Sequence, residues 1–325
     1  MFELNLFTSI LLVIVGFVLL CKSADILVDG AVAIAEHLGI SPMIIGLTVV
    51  SIGTSAPEMA ASIAAALGNN GSIAIGNVIG SNVANIALIG GFCSIIRPIS
   101  VNIRMLKVEL PVMIGSIFLL LPFMISGKIM RIEGLILFVI FVSLLLALVK
   151  NAKKDSIKEL GVVGAGQTEK VKEMSFFRSG TFVVLGLIGL SLGAKISLSG
   201  AVYIGHWAGM SESVIGLTIV AIGTSLPELI TCLVASYKKQ DDISVGNLVG
   251  SNIFNTLLVI GTASLVRPLD VERGLLVRDF PVMACVSVAF ILFAMWHRSI
   301  RRGGGVVLLA SYIAYMTYLL IIKTA

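Results

Sequence analysis

The chain has 325 residues, of which 57% are hydrophobic and only 13% charged, with a net charge of +5. A soluble domain carries about 25% charged residues, and a mean hydropathy of +1.06 places most of this chain in a bilayer. The basic excess does not signal nucleic acid, because Lys and Arg sit at the ends of apolar runs, where they orient membrane helices. Cys21, Cys93, Cys232 and Cys285 fall inside apolar runs. Their spacing matches neither a zinc site nor a disulfide framework, so they are expected as small core residues.

The first apolar run, Leu4 to Leu20, is too long for a signal-peptide core and has no basic leader, so it is predicted as a membrane span. Spans of about 20 residues are predicted at 5–30, 41–66, 71–96, 107–126, 130–149, 179–204, 213–236, 242–266, 278–296 and 304–322. Segment 150–178 is rich in Lys, Glu, Gly and Ser, and is predicted as a linker.

Gly46-Leu-Thr-Val-Val-Ser-Ile-Gly-Thr-Ser-Ala-Pro-Glu58 recurs as Gly216-Leu-Thr-Ile-Val-Ala-Ile-Gly-Thr-Ser-Leu-Pro-Glu228, with ten of thirteen positions identical. At the same offset of 170, Gly30-Ala-Val matches Gly200-Ala-Val and Ser41 matches Ser211. Gly76-Asn-Val-Ile-Gly-Ser-Asn-Val-Ala-Asn85 matches Gly246-Asn-Leu-Val-Gly-Ser-Asn-Ile-Phe-Asn255. Arg97-Pro98 matches Arg267-Pro268, and Pro111-Val-Met matches Pro281-Val-Met. The chain therefore divides into a five-helix repeat over 1–149, a linker over 150–178 and a second repeat over 179–325. Five is odd, so the second copy enters the membrane inverted, the plan of secondary transporters with a midplane site between halves. The fold class is an all-α polytopic membrane protein with ten transmembrane helices in two inverted repeats. With the N-terminus outside, fifteen Lys and Arg fall on inner loops and six on outer ones. That asymmetry predicts extracytoplasmic termini and a cytoplasmic linker.

Glu58 and Glu228 are the two acids near the middle of predicted spans with no adjacent basic residue. A carboxylate at the centre of a spanning helix costs about 2.5–3.5 kcal/mol on insertion scales, so a duplicated one demands a function. The pseudo-two-fold axis brings the pair together, where they repel unless a cation lies between them. Pro57 and Pro227 each remove a backbone N–H and free carbonyls from the helix. Such groups are tolerated at membrane depth beside a cavity or a protein partner. Thr54, Ser55, Thr224 and Ser225 add hydroxyls, giving a hard-oxygen set suited to Na⁺ or Ca²⁺. Ser81 and Asn85, and Ser251 and Asn255, are four apart, share helix faces and line the same region. Asn77, Asn82, Asn247 and Asn252 are read as helix-packing residues. Lys22 and Asp25 are expected to pair, and Trp207 and Trp296 fit interfacial positions. No phosphate loop is present, since no Lys-Ser/Thr follows the glycines.

These paired blocks resemble the two alpha repeats of the sodium/calcium exchanger family, within the cation/calcium antiporter superfamily, over nearly the whole chain. The resemblance is to compact prokaryotic members that lack a large cytoplasmic regulatory domain. It implies ten helices, alternating access and antiport of Na⁺ against Ca²⁺, with a Ca²⁺/H⁺ antiporter as the alternative. It further implies a transporter rather than an enzyme, with no cofactor, no obligate protein partner and a multi-pass place in the plasma (inner) membrane. The family's ion ligands map onto Glu58, Glu228, Thr54, Ser55, Thr224, Ser225, Ser81, Ser251, Asn85 and Asn255, and onto the backbone carbonyls of Ser51 and Ala221. One departure stands out: many relatives carry Asp at one of the last pair of side chains, whereas this chain has Asn at both. Two formal negatives then remain, which one Ca²⁺ or two Na⁺ would neutralise. Gly80 and Gly250 occupy a region where proton-coupled relatives carry an acid, which favours sodium. An intramembrane hydrolase, disfavoured by the duplicated polar ligands and the missing nucleophile motif, and a passive cation channel, which a flux unable to run uphill on a sodium gradient would favour, are further readings.

Overall fold

The computed structural model describes residues 5–160 and 174–324. Among them are eight continuous apolar helices and two bent ones, ten spans in all. Span 1 is Leu6–Leu38, span 3 Gly71–Ile96, span 4 Met105–Ile125 and span 5 the apolar part of helix Arg131–Leu160. Span 6 is Phe176–Trp207, span 8 Asp241–Val266, span 9 Leu275–His297 and span 10 lies within Arg302–Thr324. Span 2 consists of Pro42–Thr54 and Ala56–Leu67, bent by 44°. Span 7 runs from Glu212 to Tyr237, with Thr218–Thr224 and Leu226–Tyr237 bent by 54°.

Local chemistry explains the boundaries. Asn5 caps span 1 reciprocally with Thr8, and Gly39 ends it at φ +61°. Gly209, its counterpart, turns at φ +78°, a conformation that glycine adopts without a Cβ penalty. Ser41 and Ser211 match because each opens the bent span that follows: their hydroxyls accept Met43 N–H and Val214 N–H. Spans 1 and 6 run longer than predicted, by eight residues at the end of span 1. Span 1 continues through Asp25 and Asp29, because Lys238 satisfies both carboxylates at 2.6 Å. The partner that the structure gives Asp25 is thus Lys238, not the expected Lys22. Helix Arg131–Leu160 also continues past residue 149 into the predicted linker; residues 161–173 of that linker lie outside the described residues.

Two short antiparallel pairings show the inversion. Ile99–Ser100, after span 3, pairs with Ser299–Ile300, after span 9. Lys128–Ile129, after span 4, pairs with Leu269–Asp270, after span 8. The loop after the third span of one repeat thus meets the loop after the fourth span of the other, at both ends of the bundle. Parallel repeats would place like loops together.

The halves interleave. Span 1 packs along span 6, span 3 against span 10, and span 5 against span 8. Small residues make these crossings close, as lipid-embedded helices require. A Cβ on Gly30 would lie 2.9 Å from Ser179 O and Phe182 Cβ, and one on Gly91 would lie 2.9 Å from Gly305 O. Trp207 and Trp296 are exposed at span ends, as expected. Of the four cysteines, Cys93 and Cys232 are buried, whereas Cys285 is exposed on span 9 and is not a core residue.

The span 1–span 6 seam gives a direct expectation. Gly30→Ala forces a methyl into span 6 backbone and lowers stability by about 1–3 kcal/mol. Gly180→Ala, where nothing lies within 4 Å, leaves it unchanged or slightly raised. Thermal unfolding of the detergent-solubilised variants distinguishes the two.

Candidate ion-binding site

Each half presents its motif at a helix break. Pro57 and Pro227 fall in the first turn of the second segment of spans 2 and 7, so the kinks have the usual proline cause. Glu58 and Glu228 sit in the same first turns, where the positive end of a half-helix favours a carboxylate. Both are buried, at 1% and 0% exposure. They lie near enough for their charges to interact. Ser55 Oγ donates to Glu228 Oε1 at 3.1 Å, joining the two motifs directly.

The second pair of motifs arrives from spans 3 and 8. Asn85 and Asn255 lie in wide π-helical turns, Ala84–Gly90 and Asn255–Val259; such turns recur at functional sites. The half-helix carrying Glu58 contacts the Asn255 turn, and the half-helix carrying Glu228 contacts the Asn85 turn. Ser81 and Ser251 are buried one turn before those asparagines.

Six oxygens here have no hydrogen-bond partner among the described residues: Glu58 Oε2, Glu228 Oε2, Asn85 Oδ1, Asn255 Oδ1, Ser225 Oγ and Ser251 Oγ. Asn255 Nδ2 is a seventh such atom. Leaving one buried polar group unpaired costs about 1–3 kcal/mol, so this concentration marks a site built for something other than protein. Among the described residues no three His, Cys, Asp or Glu side chains form a metal cluster. Two carboxylates surrounded by hydroxyls and amides suit a hard alkali or alkaline-earth cation, not a transition metal.

The two halves are not in the same state. Ser51 and Thr54 are fully buried, whereas Ala221 is exposed and Thr224 half-buried. On the buried side, Thr54 Oγ1 donates to Asn247 Oδ1 at 3.1 Å, and Ser51 Oγ, which donates to Gly46 O at 2.6 Å, lies 3.2 Å from the Asn247 carbonyl. A Cβ on Gly246 would lie 2.7 Å from Met43 O and 3.2 Å from Gly46 Cα. Across the axis, among the described atoms, one on Gly76 would meet only Leu275 Cδ2, at 3.5 Å, and one on Gly80 nothing within 4 Å. The first segment of span 2 is thus sealed on span 8, while the first segment of span 7 stands away from span 3. An apolar crevice of about 320 Å³ between spans 1, 6 and 7 lies beside that segment.

The two carbonyls expected as ligands also differ. Ser51 O still accepts Ser55 N–H at 3.0 Å. Ser225 N–H instead turns to Ile222 O, at 3.1 Å. That leaves Ala221 O with the Thr224 hydroxyl, at 3.2 Å.

Two residues read from sequence as packing groups touch the site. Asn77 Nδ2 donates to Glu58 O at 3.2 Å and to Ser62 Oγ at 2.9 Å. Asn247, its counterpart, receives Thr54 and donates to Cys232 Sγ at 3.4 Å. Asn82 and Asn252 behave as packing residues, bonding Thr256 Oγ1 and Leu248 O. Two further carboxylates, Glu109 and Asp279, are buried 170 residues apart. Arg104 holds the first at 3.1 Å, and Arg278 with Tyr315 holds the second at 2.8 and 3.0 Å. The signal was the offset itself: each stands two residues before Pro111 or Pro281.

Comparison with known proteins matches residues 8–150 and 179–321 to the family model described as sodium/calcium exchanger protein. The putative antiporter CaxA of Alkalimonas amylolytica is 39% identical over 95% of this chain and 97% of its own. The inner membrane protein YrbG of Escherichia coli is 37% identical over 95% of each. The sodium/calcium exchanger MaX1 of Methanosarcina acetivorans is 32% identical over 96% of this chain and 98% of its own. Among solved structures, the sodium-calcium exchanger NCX_Mj soaked with zero Na⁺ and Ca²⁺ superposes with a TM-score of 0.81 at 31% identity, covering 97% of this chain and 100% of that one.

The unequal halves predict unequal tolerance of a methyl group. Gly250→Ala drives one into Leu47 O, 2.7 Å away, and into the Ser51 hydroxyl, destabilising by about 1–3 kcal/mol. Gly80→Ala, at the equivalent place, leaves the melting temperature of the ion-free protein unchanged.

Proposed function

Because the chain belongs to the sodium/calcium exchanger family, we propose that it exchanges Na⁺ for Ca²⁺ by alternating access, with Glu58 and Glu228 at the centre of the site. The observation that carries this reading is the set of unpartnered buried oxygens around that carboxylate pair. Thr54, Ser55, Thr224, Ser225, Ser81, Ser251, Asn85, Asn255 and the carbonyls of Ser51 and Ala221 complete the ligand set. Both cations are bound by the same two charges, so occupancy by one excludes the other, and that exclusion couples the fluxes. The empty site holds two like charges at bilayer depth, which opposes the inward–outward transition; a bound cation removes that barrier. One Ca²⁺ or two Na⁺ neutralises the pair, and a third Na⁺ would leave the site positive and the exchange electrogenic.

Sodium as the coupling ion is supported by the name of the relative MaX1 and by Gly80 and Gly250, where an acid would serve a proton. The protein spans the membrane many times, and the relative YrbG is named an inner membrane protein; we assign this chain to the inner membrane. With both termini extracytoplasmic and the 150–178 segment cytoplasmic, as the basic-residue asymmetry favours, the first segment of span 7 faces outward. The conformation described is then open to the outside and sealed by span 2 inside.

Proteoliposomes loaded with Na⁺ and diluted into sodium-free medium with radiolabelled Ca²⁺ will accumulate Ca²⁺. Glu58→Gln and Glu228→Gln will each lower uptake by roughly tenfold or more, since each removes one of two charges that bind the cation. Full uptake in both variants overturns the assigned site. Uptake driven by a pH gradient without sodium overturns sodium coupling in favour of a Ca²⁺/H⁺ antiporter.

A further inference from the structure

Asn77 and Asn247 occupy equivalent places, and their amide nitrogens do equivalent work. Asn77 Nδ2 bonds Ser62 Oγ on span 2, and Asn247 Nδ2 bonds Cys232 Sγ at the matching position on span 7. With the nitrogens fixed alike, the side-chain oxygens face alike, each toward the motif of the opposite half. Asn247 Oδ1 has its donor there, the Thr54 hydroxyl at 3.1 Å. Asn77 Oδ1 meets no donor among the described residues. The hydroxyl that would match, that of Thr224, is instead spent on the Ala221 carbonyl at 3.2 Å.

We propose that Asn77 is a positioning residue for ion binding: when the first segment of span 7 closes onto span 3, Asn77 Oδ1 takes the Thr224 hydroxyl hydrogen and frees the Ala221 carbonyl for the cation. This deepens the antiporter reading and rests on it. Three features fit the step. On the open side Ser225 N–H bonds Ile222 O rather than Ala221 O, and the Thr224 hydroxyl is the side-chain donor on the Ala221 carbonyl. The facing surface of span 3 is clear, with nothing within 4 Å of a Cβ on Gly80. On the sealed side the matching hydroxyl already lies nearer its asparagine, Thr54 being 3.1 Å from Asn247 Oδ1 and 3.4 Å from Ser51 O, which there keeps Ser55 N–H as well. Closure and completion of the ligand set are thereby one event. A Thr224 lone pair also turns toward the site once its proton points to Asn77.

The test is a double-mutant cycle read by transport and by hydrogen exchange in lipid nanodiscs. Asn77→Ala raises the apparent KM for Ca²⁺ about fivefold, the scale of one buried hydrogen bond. It also removes the Ca²⁺-induced protection of backbone amides over 218–224 that the wild type shows. In a Thr224→Val background, Asn77→Ala has no further effect, because the bond is already gone. An undiminished fivefold effect in that background, or wild-type protection in Asn77→Ala, overturns the proposal. Asn77→Ser serves should the alanine variant fail to fold: it keeps a hydroxyl oxygen that can accept and loses the bonds donated to Glu58 O and Ser62 Oγ, without adding a charge. Retained protection supports the proposal, and lost protection overturns it. If the wild type itself shows no Ca²⁺-dependent transport or protection, it is the antiporter reading that fails.

Discussion

Two carboxylates buried against each other at bilayer depth are the constraint around which this protein is arranged. Among the described residues neither Glu58 nor Glu228 has a basic partner, so the fold supplies weaker compensations in numbers. Each stands at the start of a half-helix, where the backbone dipole favours negative charge. The prolines that create those starts also create the bends, of 44° and 54°. Bent spans cannot pack as rods, which is why glycine pairs such as Gly46 and Gly246 bring backbone to backbone around the site. The contrast with Glu109 and Asp279 is instructive. Those carboxylates are equally buried but carry arginine partners, and nothing around them is left unsatisfied in the same concentrated way.

Much of the fold was legible because inversion leaves an arithmetical trace. A constant offset of 170 with five spans per copy fixed the plan, and the paired loop strands at 99–100 with 299–300 follow from it. The candidate site residues stood out for the same reason: an intramembrane Glu with hydroxyls is rare once and informative twice. Three things escaped. The roles of Asn77 and Asn247 depend on which neighbour the amide meets, and an asparagine in a glycine-rich helix reads equally as packing. The length of span 1 was underestimated because about 20 apolar residues suffice to cross a bilayer, whereas the helix runs on past residue 30 to its cap at Gly39. The difference between the halves cannot be read from the repeat at all, since the repeat argues only for equivalence.

The packing is not uniform around the site. Spans 3, 4, 5, 8, 9 and 10 are tied by the loop strands at both ends and by the tight crossings of span 3 on span 10 and span 5 on span 8. Spans 2 and 7 carry the breaks, and spans 1 and 6 pack mainly on one another. The freedom lies where the hydrogen-bond ladder is already interrupted, so rearrangement of the site breaks few regular helical bonds.

One inequality between the halves has a kinetic meaning. The Ser51 hydroxyl bonds Gly46 O of its own helix at 2.6 Å and lies 3.2 Å from the Asn247 carbonyl on the sealed side, whereas its counterpart Ala221 has no hydroxyl. Sharing that one hydrogen across the seam is worth at most about 0.5–1.5 kcal/mol, an upper limit of roughly two- to tenfold between the two conformers. The Haldane relation leaves the final ion distribution untouched by this bias, because a catalyst of exchange cannot move an equilibrium. It does divide the kinetic constants unevenly, so the two faces of the membrane saturate at different cation concentrations. In so nearly symmetric a molecule, that one oxygen atom is where a difference between the two faces would enter.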